Sequence, residues 1–163
     1  MFVSEKMIRA SQFLNCRNPN CSAPGACEMV LRFLIADNHE EVRLAVRTLI
    51  ADRAGWQACG ETKNGPETVL MASELAPDVV ILDLTIPGMY GLDVAEVIRR
   101  RIPSTKIIFL TKHDVPVTAR EVGVNAFVKK TELAQSLVAA IERVIGESRK
   151  RLADRPPRGV FET

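Results

Sequence analysis

Residues 77–91 read PDVVILDLTIPGMYG. The stretch Asp78–Asp83 within it is an apolar, largely β-branched run with Pro77 before it and the Pro87-Gly88 turn after it. No residue between its two acids is polar, so neither face of the strand is suited to water. Such a strand belongs in a parallel sheet covered by helices on both sides. Working upstream, Leu31–Ala36 is a second apolar run, ending at Asp37. Val42, Ala45, Val46, Leu49 and Ile50 then recur at helical spacing, one apolar stripe of an amphipathic helix. Gln57–Glu61 predicts a weaker strand after Gly55, and Gly65-Pro66 opens a helix through about Leu75. Downstream, a helix over Gly91–Arg101 stops at Pro103, and Lys106–Leu110 and Ala126–Val128 are the last two strands. A final helix from near Thr131 carries Leu133, Leu137, Ala140, Ile141, Val144 and Ile145 on one face. Five alternations of strand and helix, joined by right-handed crossovers, predict an α/β fold with a doubly wound five-stranded parallel sheet.

The chain has 163 residues, 47% hydrophobic and 26% charged, which suits one globular domain and argues against wholesale disorder. A net charge of +2 provides no basic footprint for nucleic acid, and Trp56 and Tyr90 are single aromatics without a stacking array. No run approaches the roughly 18–20 apolar residues of a membrane helix, and the first residues lack the apolar core of a signal peptide. A cytoplasmic location is the resulting expectation. Composition shifts near residue 29, which predicts a poorly ordered leader over 1–28, a folded domain over 29–147 and a polar tail over 148–163 containing Pro156-Pro157. Cys16, Cys21 and Cys27 lie in the leader at a spacing without the tight pairs of a zinc site, and Cys59 stands alone in the domain.

In an open parallel sheet, ligands bind beyond the carboxyl ends of the strands. There the sequence places Asp37 and Asn38 after the first strand and Asp83 after the third. Thr111 follows the fourth strand, and Lys129 and Lys130 the fifth. An Asp opening a helix is often only a cap, and a loop Lys is often only solvated. Their joint placement on one edge points further. Two facing carboxylates call for a divalent cation, and oxygen ligands in an open loop suit Mg²⁺. A Lys and a Thr hydroxyl beside them suit a phosphoryl group. The role of nucleophile falls to a carboxylate, and Asp83 on the central strand is the candidate.

Four segments carry a family resemblance: residues 34–43 (LIADNHEEVR), 79–92 (VVILDLTIPGMYGL), 107–111 (IIFLT) and 123–130 (GVNAFVKK). In these the chain resembles a response-regulator receiver domain of two-component signalling, closest to receivers joined to a helix-turn-helix output domain. The resemblance implies a flavodoxin-like (βα)5 sandwich with strand order 2-1-3-4-5. It makes Asp83 the phosphoacceptor, charged by a sensor histidine kinase or a phosphotransfer protein. It assigns Mg²⁺ to Asp37, Asn38, Asp83 and the main-chain carbonyl of Thr85. Thr111 and Lys130 would contact the phosphoryl group, with Lys130 preferred to Lys129 by its distance from Gly123, and Thr111 and Phe127 would form the switch. The product is a phosphorylated signalling protein with a partner-binding surface for an unknown downstream protein, and not an enzyme. A haloacid-dehalogenase-like phosphatase would need a second Asp two positions after the nucleophile, where this chain has Thr85.

Several features depart from the family pattern. Asn38 stands where a second acid is usual, lowering the formal charge of the site from −3 to −2 and weakening the expected hold on Mg²⁺. Lys112 replaces a small residue after Thr111. The stretch from Thr111 to Lys130 is short, leaving a stub of helix over Asp114–Glu121 with Pro116 inside it. The residues after Gly146 number 17, too few for an output domain, so the expectation is a stand-alone receiver without direct DNA binding, with a homodimer as an option. The rival expectation is a degenerate receiver that docks partners without phosphorylation. His39, one step into a helix, reads as a capping or solvated residue, and His113 has no evident partner.

Overall fold

A computed structural model describes residues 30–113 and 123–153. The expected leader with its three cysteines, the Asp114–Glu121 helix and the end of the tail lie outside the described residues. Strands β1 (Leu31–Ala36), β2 (Trp56–Thr62), β3 (Val79–Asp83), β4 (Lys106–Thr111) and β5 (Ala126–Lys129) form one sheet. All of its pairings are parallel and its order is β2-β1-β3-β4-β5, the doubly wound arrangement the alternation predicts. Helices α1 (Glu40–Ala51), α2 (Gly65–Leu75), α3 (Gly91–Arg101) and α4 (Leu133–Ala153) cover it.

The twofold period of a strand sorts the core into two layers. Phe33, Ile35, Ile81, Ile108 and Leu110 point to one side and pack with Val46 and Ile50 of α1 and Leu137, Ile141 and Val144 of α4. Leu34, Val80, Leu82, Ile107 and Phe109 point to the other and pack with Ala72 of α2 and Val94, Ala95 and Ile98 of α3. Every residue of β3 is buried, which is why its sequence shows no polar alternation.

Element ends differ from the sequence reading in informative ways. β3 begins at Val79, and Asp78 just before it accepts the Arg32 main-chain N–H on Oδ2 at 2.8 Å while its own main chain bonds to Arg32 and Lys106. β2, the sheet edge, is mostly half-buried and carries an irregularity: Phe33 faces Ala58 while Leu34 faces Gly60, so Cys59 is an extra residue. An interrupted, half-covered strand gives a faint sequence signal. Burial pushes the Cys59 thiol up from its ordinary pKa. A 3-10 turn over Lys130–Glu132 precedes α4, which therefore opens at Leu133 and not near Thr131. The same helix runs to Ala153, six residues into the stretch expected as polar tail. That stretch has no apolar stripe, but it also has no helix breaker before Pro156, and the Ser148 hydroxyl bonds back to the Val144 carbonyl at 2.9 Å.

The loop after β3 is set by two glycines. Gly88 has a left-handed φ of +82°. At Gly91 a Cβ would stand 2.7 Å from the Leu84 carbonyl oxygen and 2.9 Å from that of Asp83. Helix α3 thus begins in direct contact with the backbone of the strand end it follows.

Candidate functional site

Because every strand runs the same way, their carboxyl ends share one edge. β1 and β3 are neighbours, with Ala36 opposite Leu82, so the next residue of each is an Asp at the same level. Asp37 is fully buried and Asp83 is 1% exposed. Lys130 follows β5 immediately, and its side chain, 8% exposed, reaches across to both acids. Lys130 Nζ lies 2.6 Å from Asp37 Oδ2 and 3.2 Å from Asp83 Oδ1. Two carboxylates against one ammonium leave a formal charge of −1 in a desolvated pocket, a deficit that favours a further cation.

The contacts around each acid are unequal. The Asp37 main chain is fixed from both sides: its N–H donates to Thr62 O at 3.1 Å and its carbonyl accepts from Arg43 Nη1 at 2.8 Å. Arg43 is itself buried and paired through Nε to Glu61 Oε2 at 3.2 Å, while Arg47 holds Glu61 Oε1 at 2.6 Å. Asp37 Oδ1 accepts from the His39 N–H at 2.9 Å and faces His39 Nδ1 at 3.0 Å. Asp83 Oδ1 accepts from the Thr85 N–H and from the Thr85 hydroxyl, each at 3.2 Å.

Asp37 Oδ2 and Lys130 Nζ thus form a buried ion pair with each other. Asp37, His39 and Asp83 bring donor atoms within 4.8 Å of one another. The chemistry of this donor set, two carboxylates with a net negative charge, fits a small divalent cation held mainly by oxygen.

The remaining residues expected at the site are distributed as follows. Thr85 is exposed and turned onto Asp83, and Asn38 is exposed. Thr111 is buried, but its hydroxyl donates to the His113 carbonyl and accepts the His113 N–H at 3.0 Å. The site's hydroxyl is therefore engaged with its own loop, and His113 acquires a main-chain partner that its sequence position did not suggest. Phe127, half-buried, stacks on Phe109 with centroids 5.7 Å apart. Lys129, the last residue of β5, is exposed, whereas the Lys130 side chain at the start of the 3-10 turn is directed inward to the two acids. Lys112 is exposed, with Nζ 3.5 Å from His39 Nε2.

Two residues at the site escaped the sequence reading. His39 is more than a helix-start residue: it makes no side-chain cap and turns its ring onto Asp37 instead. Arg43 lies three residues before Val46 and seven before Ile50, on the buried stripe of α1. A charge on an otherwise apolar stripe is the signal that would have found it, since a buried charge requires a partner.

Residues 33–142 match the family model of the response regulator receiver domain. The response regulator protein VraR of Staphylococcus saprophyticus is 28% identical over 118 residues, covering 71% of this chain and 56% of that protein. VraR of Staphylococcus aureus is 30% identical over 124 residues, covering 74% and 59%. The chain thus spans a little over half the length of these relatives. Among solved structures, a LuxR-family two-component response regulator from Aurantimonas sp. SI85-9A1 aligns with a TM-score of 0.68 at 28% identity, over 76% of this chain and 99% of that one. A LuxR-family DNA-binding response regulator from Staphylococcus aureus aligns with a TM-score of 0.65 at 31% identity, over 71% and 98%. Among the described residues, no helix is long and apolar enough to cross a membrane.

Proposed function

Since the chain belongs to the response-regulator receiver family, we propose that it is a phosphoryl acceptor of a two-component relay, with Asp83 as the residue modified. The observation that carries this reading is the buried triad in which Lys130 Nζ meets Asp37 and Asp83 at 2.6 and 3.2 Å. An Asp83 carboxylate oxygen attacks phosphorus in line, forming an acyl-phosphate O–P bond as the P–N bond of a donor phosphohistidine breaks. The donor is a sensor histidine kinase or a phosphotransfer protein. Thr85 holds the Asp83 carboxylate in orientation through two hydrogen bonds. Lys130, already beside the acceptor oxygen, supplies positive charge to the incoming group.

Asp37, Asp83 and the Thr85 carbonyl are the residues to hold Mg²⁺, with exposed Asn38 at the rim of the site. Magnesium, when bound, offsets charge on the phosphoryl oxygens. Replacing Asn38 with Asp adds one negative charge a few ångströms from the ion in a solvent-exposed position. Against a dication that is worth about 2 kcal/mol in water, or roughly thirtyfold in Mg²⁺ affinity. Titration of both proteins with Mg²⁺ checks it, and equal affinities would remove residue 38 from the site.

The switch lies in Thr111. Its hydroxyl must leave His113 to reach a phosphoryl oxygen, and Phe127, stacked on Phe109, is the aromatic that responds to that movement. The same hydroxyl pairing favours a second reading, a receiver that binds a downstream protein without being phosphorylated. Beryllofluoride with millimolar Mg²⁺, followed by amide NMR, separates the two. An acceptor shows shifts around Thr111–His113 and Phe127, whereas an unchanged spectrum leaves only the docking reading.

A further inference from the structure

We infer that Arg43, buried on α1, is a positioning residue for the acid pair: it fixes the main chain of Asp37 and, through it, the direction of the Asp37 carboxylate. The inference rests on the acceptor reading and adds to it a residue that touches neither the ion nor the phosphoryl group.

Asp37 is the first residue beyond β1, and α1 begins only at Glu40, so its carbonyl lies between the sheet ladder and the helix. Arg43 Nη1 donates to that carbonyl at 2.8 Å. On the other side of the residue, the Asp37 N–H is bonded to Thr62 O at 3.1 Å. With both main-chain groups held, the backbone of Asp37 has little room to rotate, and its Oδ2 is kept 2.6 Å from Lys130 Nζ. The guanidinium is itself anchored. Its Nε donates to Glu61 Oε2 at 3.2 Å, and Arg47 Nη1 holds the other Glu61 oxygen at 2.6 Å.

Stability alone is a poor reason for this arrangement. Arg43 shares the buried stripe of α1 with Val46 and Ile50, where an apolar side chain would pack without the cost of desolvating a charge. The charge as such works against a cation site, because a positive group near the acids repels the ion. What an apolar residue cannot supply is the donor to the Asp37 carbonyl. A positioning role and a charge effect therefore predict opposite changes in ion binding when Arg43 is removed.

Calorimetry without any phosphoryl donor measures Mg²⁺ binding to the full chain and to Arg43→Met, Arg43→Lys and Arg53→Met. Met fills much of the volume of the Arg stem and offers no donor. Arg43→Met is expected to bind Mg²⁺ about tenfold or more weakly, the usual scale for losing a group that orients a metal ligand. Arg53→Met makes the same change of charge at an exposed pair with Glu142, beyond the other end of α1, and should bind within about twofold of wild type. A second readout, taken without metal, is the carbonyl ¹³C resonance of Asp37, which reports the hydrogen bond that carbonyl accepts and should move in Arg43→Met. Arg43→Lys keeps the charge and a donor, and carries the test should the Met variant fail to fold. In it the two readouts must agree, both near wild type or both displaced. Unchanged or tighter Mg²⁺ binding in Arg43→Met, an Asp37 resonance that does not move there, or disagreement between the two readouts in either variant overturns the proposal. Acetyl-phosphate labelling of the unaltered chain is scored separately. Labelling with no effect of Arg43 on Mg²⁺ sinks this inference alone, and an Arg43-dependent Mg²⁺ affinity without labelling sinks the acceptor reading alone.

Discussion

Asp83→Asn abolishes covalent labelling by acetyl phosphate. The amide has nearly the shape of the carboxylate but no anionic oxygen to attack phosphorus, so the reaction loses its nucleophile while the pocket keeps its volume. The neighbouring carboxylate does not substitute for it. Asp37 Oδ1 is covered by two His39 contacts and Oδ2 by the Lys130 ammonium. The fold should survive, because the substitution leaves Lys130 paired with Asp37 at 2.6 Å and removes one of two carboxylates competing for a single ammonium. Mass spectrometry of the intact protein should show the added phosphoryl mass on wild type and none on the variant, with stability within about 1 kcal/mol of wild type. A phosphorylated variant would mean that another residue is the acceptor.

Lys130→Ala removes about 3 kcal/mol of stability. It leaves two carboxylates, fully and 99% buried, facing each other without their cation, and removing one member of a buried ion pair costs roughly 3–5 kcal/mol. The lower end applies because a solution cation can take part of the vacated role. Urea denaturation measures the loss, and Mg²⁺ in millimolar excess should restore part of it by binding only the folded state. Lys63→Ala, at an exposed position on the loop before α2, is the control and should stay within about 0.5 kcal/mol of wild type. A Lys130 variant as stable as that control would show that the ammonium does not neutralise the acid pair.

How much of this could be read before any coordinates depended on burial. β3 announced itself because all its side chains are inside, whereas the strand order came from the family resemblance and not from the pattern of residues. β2 was faint because an edge strand with an extra residue at Cys59 has neither a continuous apolar run nor clean alternation. Asp37, Asp83 and Lys130 were legible because strand ends in a parallel sheet converge by topology alone. The occupation of Thr111 by His113 was not, since it depends on the local path of the chain just after β4, which no periodicity encodes. His39 and Arg43 were hidden for a related reason: each acts through one specific partner, and sequence spacing reports faces rather than pairs.

The Thr111 hydroxyl cannot serve two partners at once. On the acceptor reading, its two bonds to His113 must open before the activated arrangement forms, and two hydrogen bonds together contribute about 2 kcal/mol. That corresponds to roughly thirtyfold in favour of the idle form. A latch of this size sets the noise floor of the signal: a few per cent of molecules are active with no stimulus, and the dynamic range of the output is capped near thirty however strong the input.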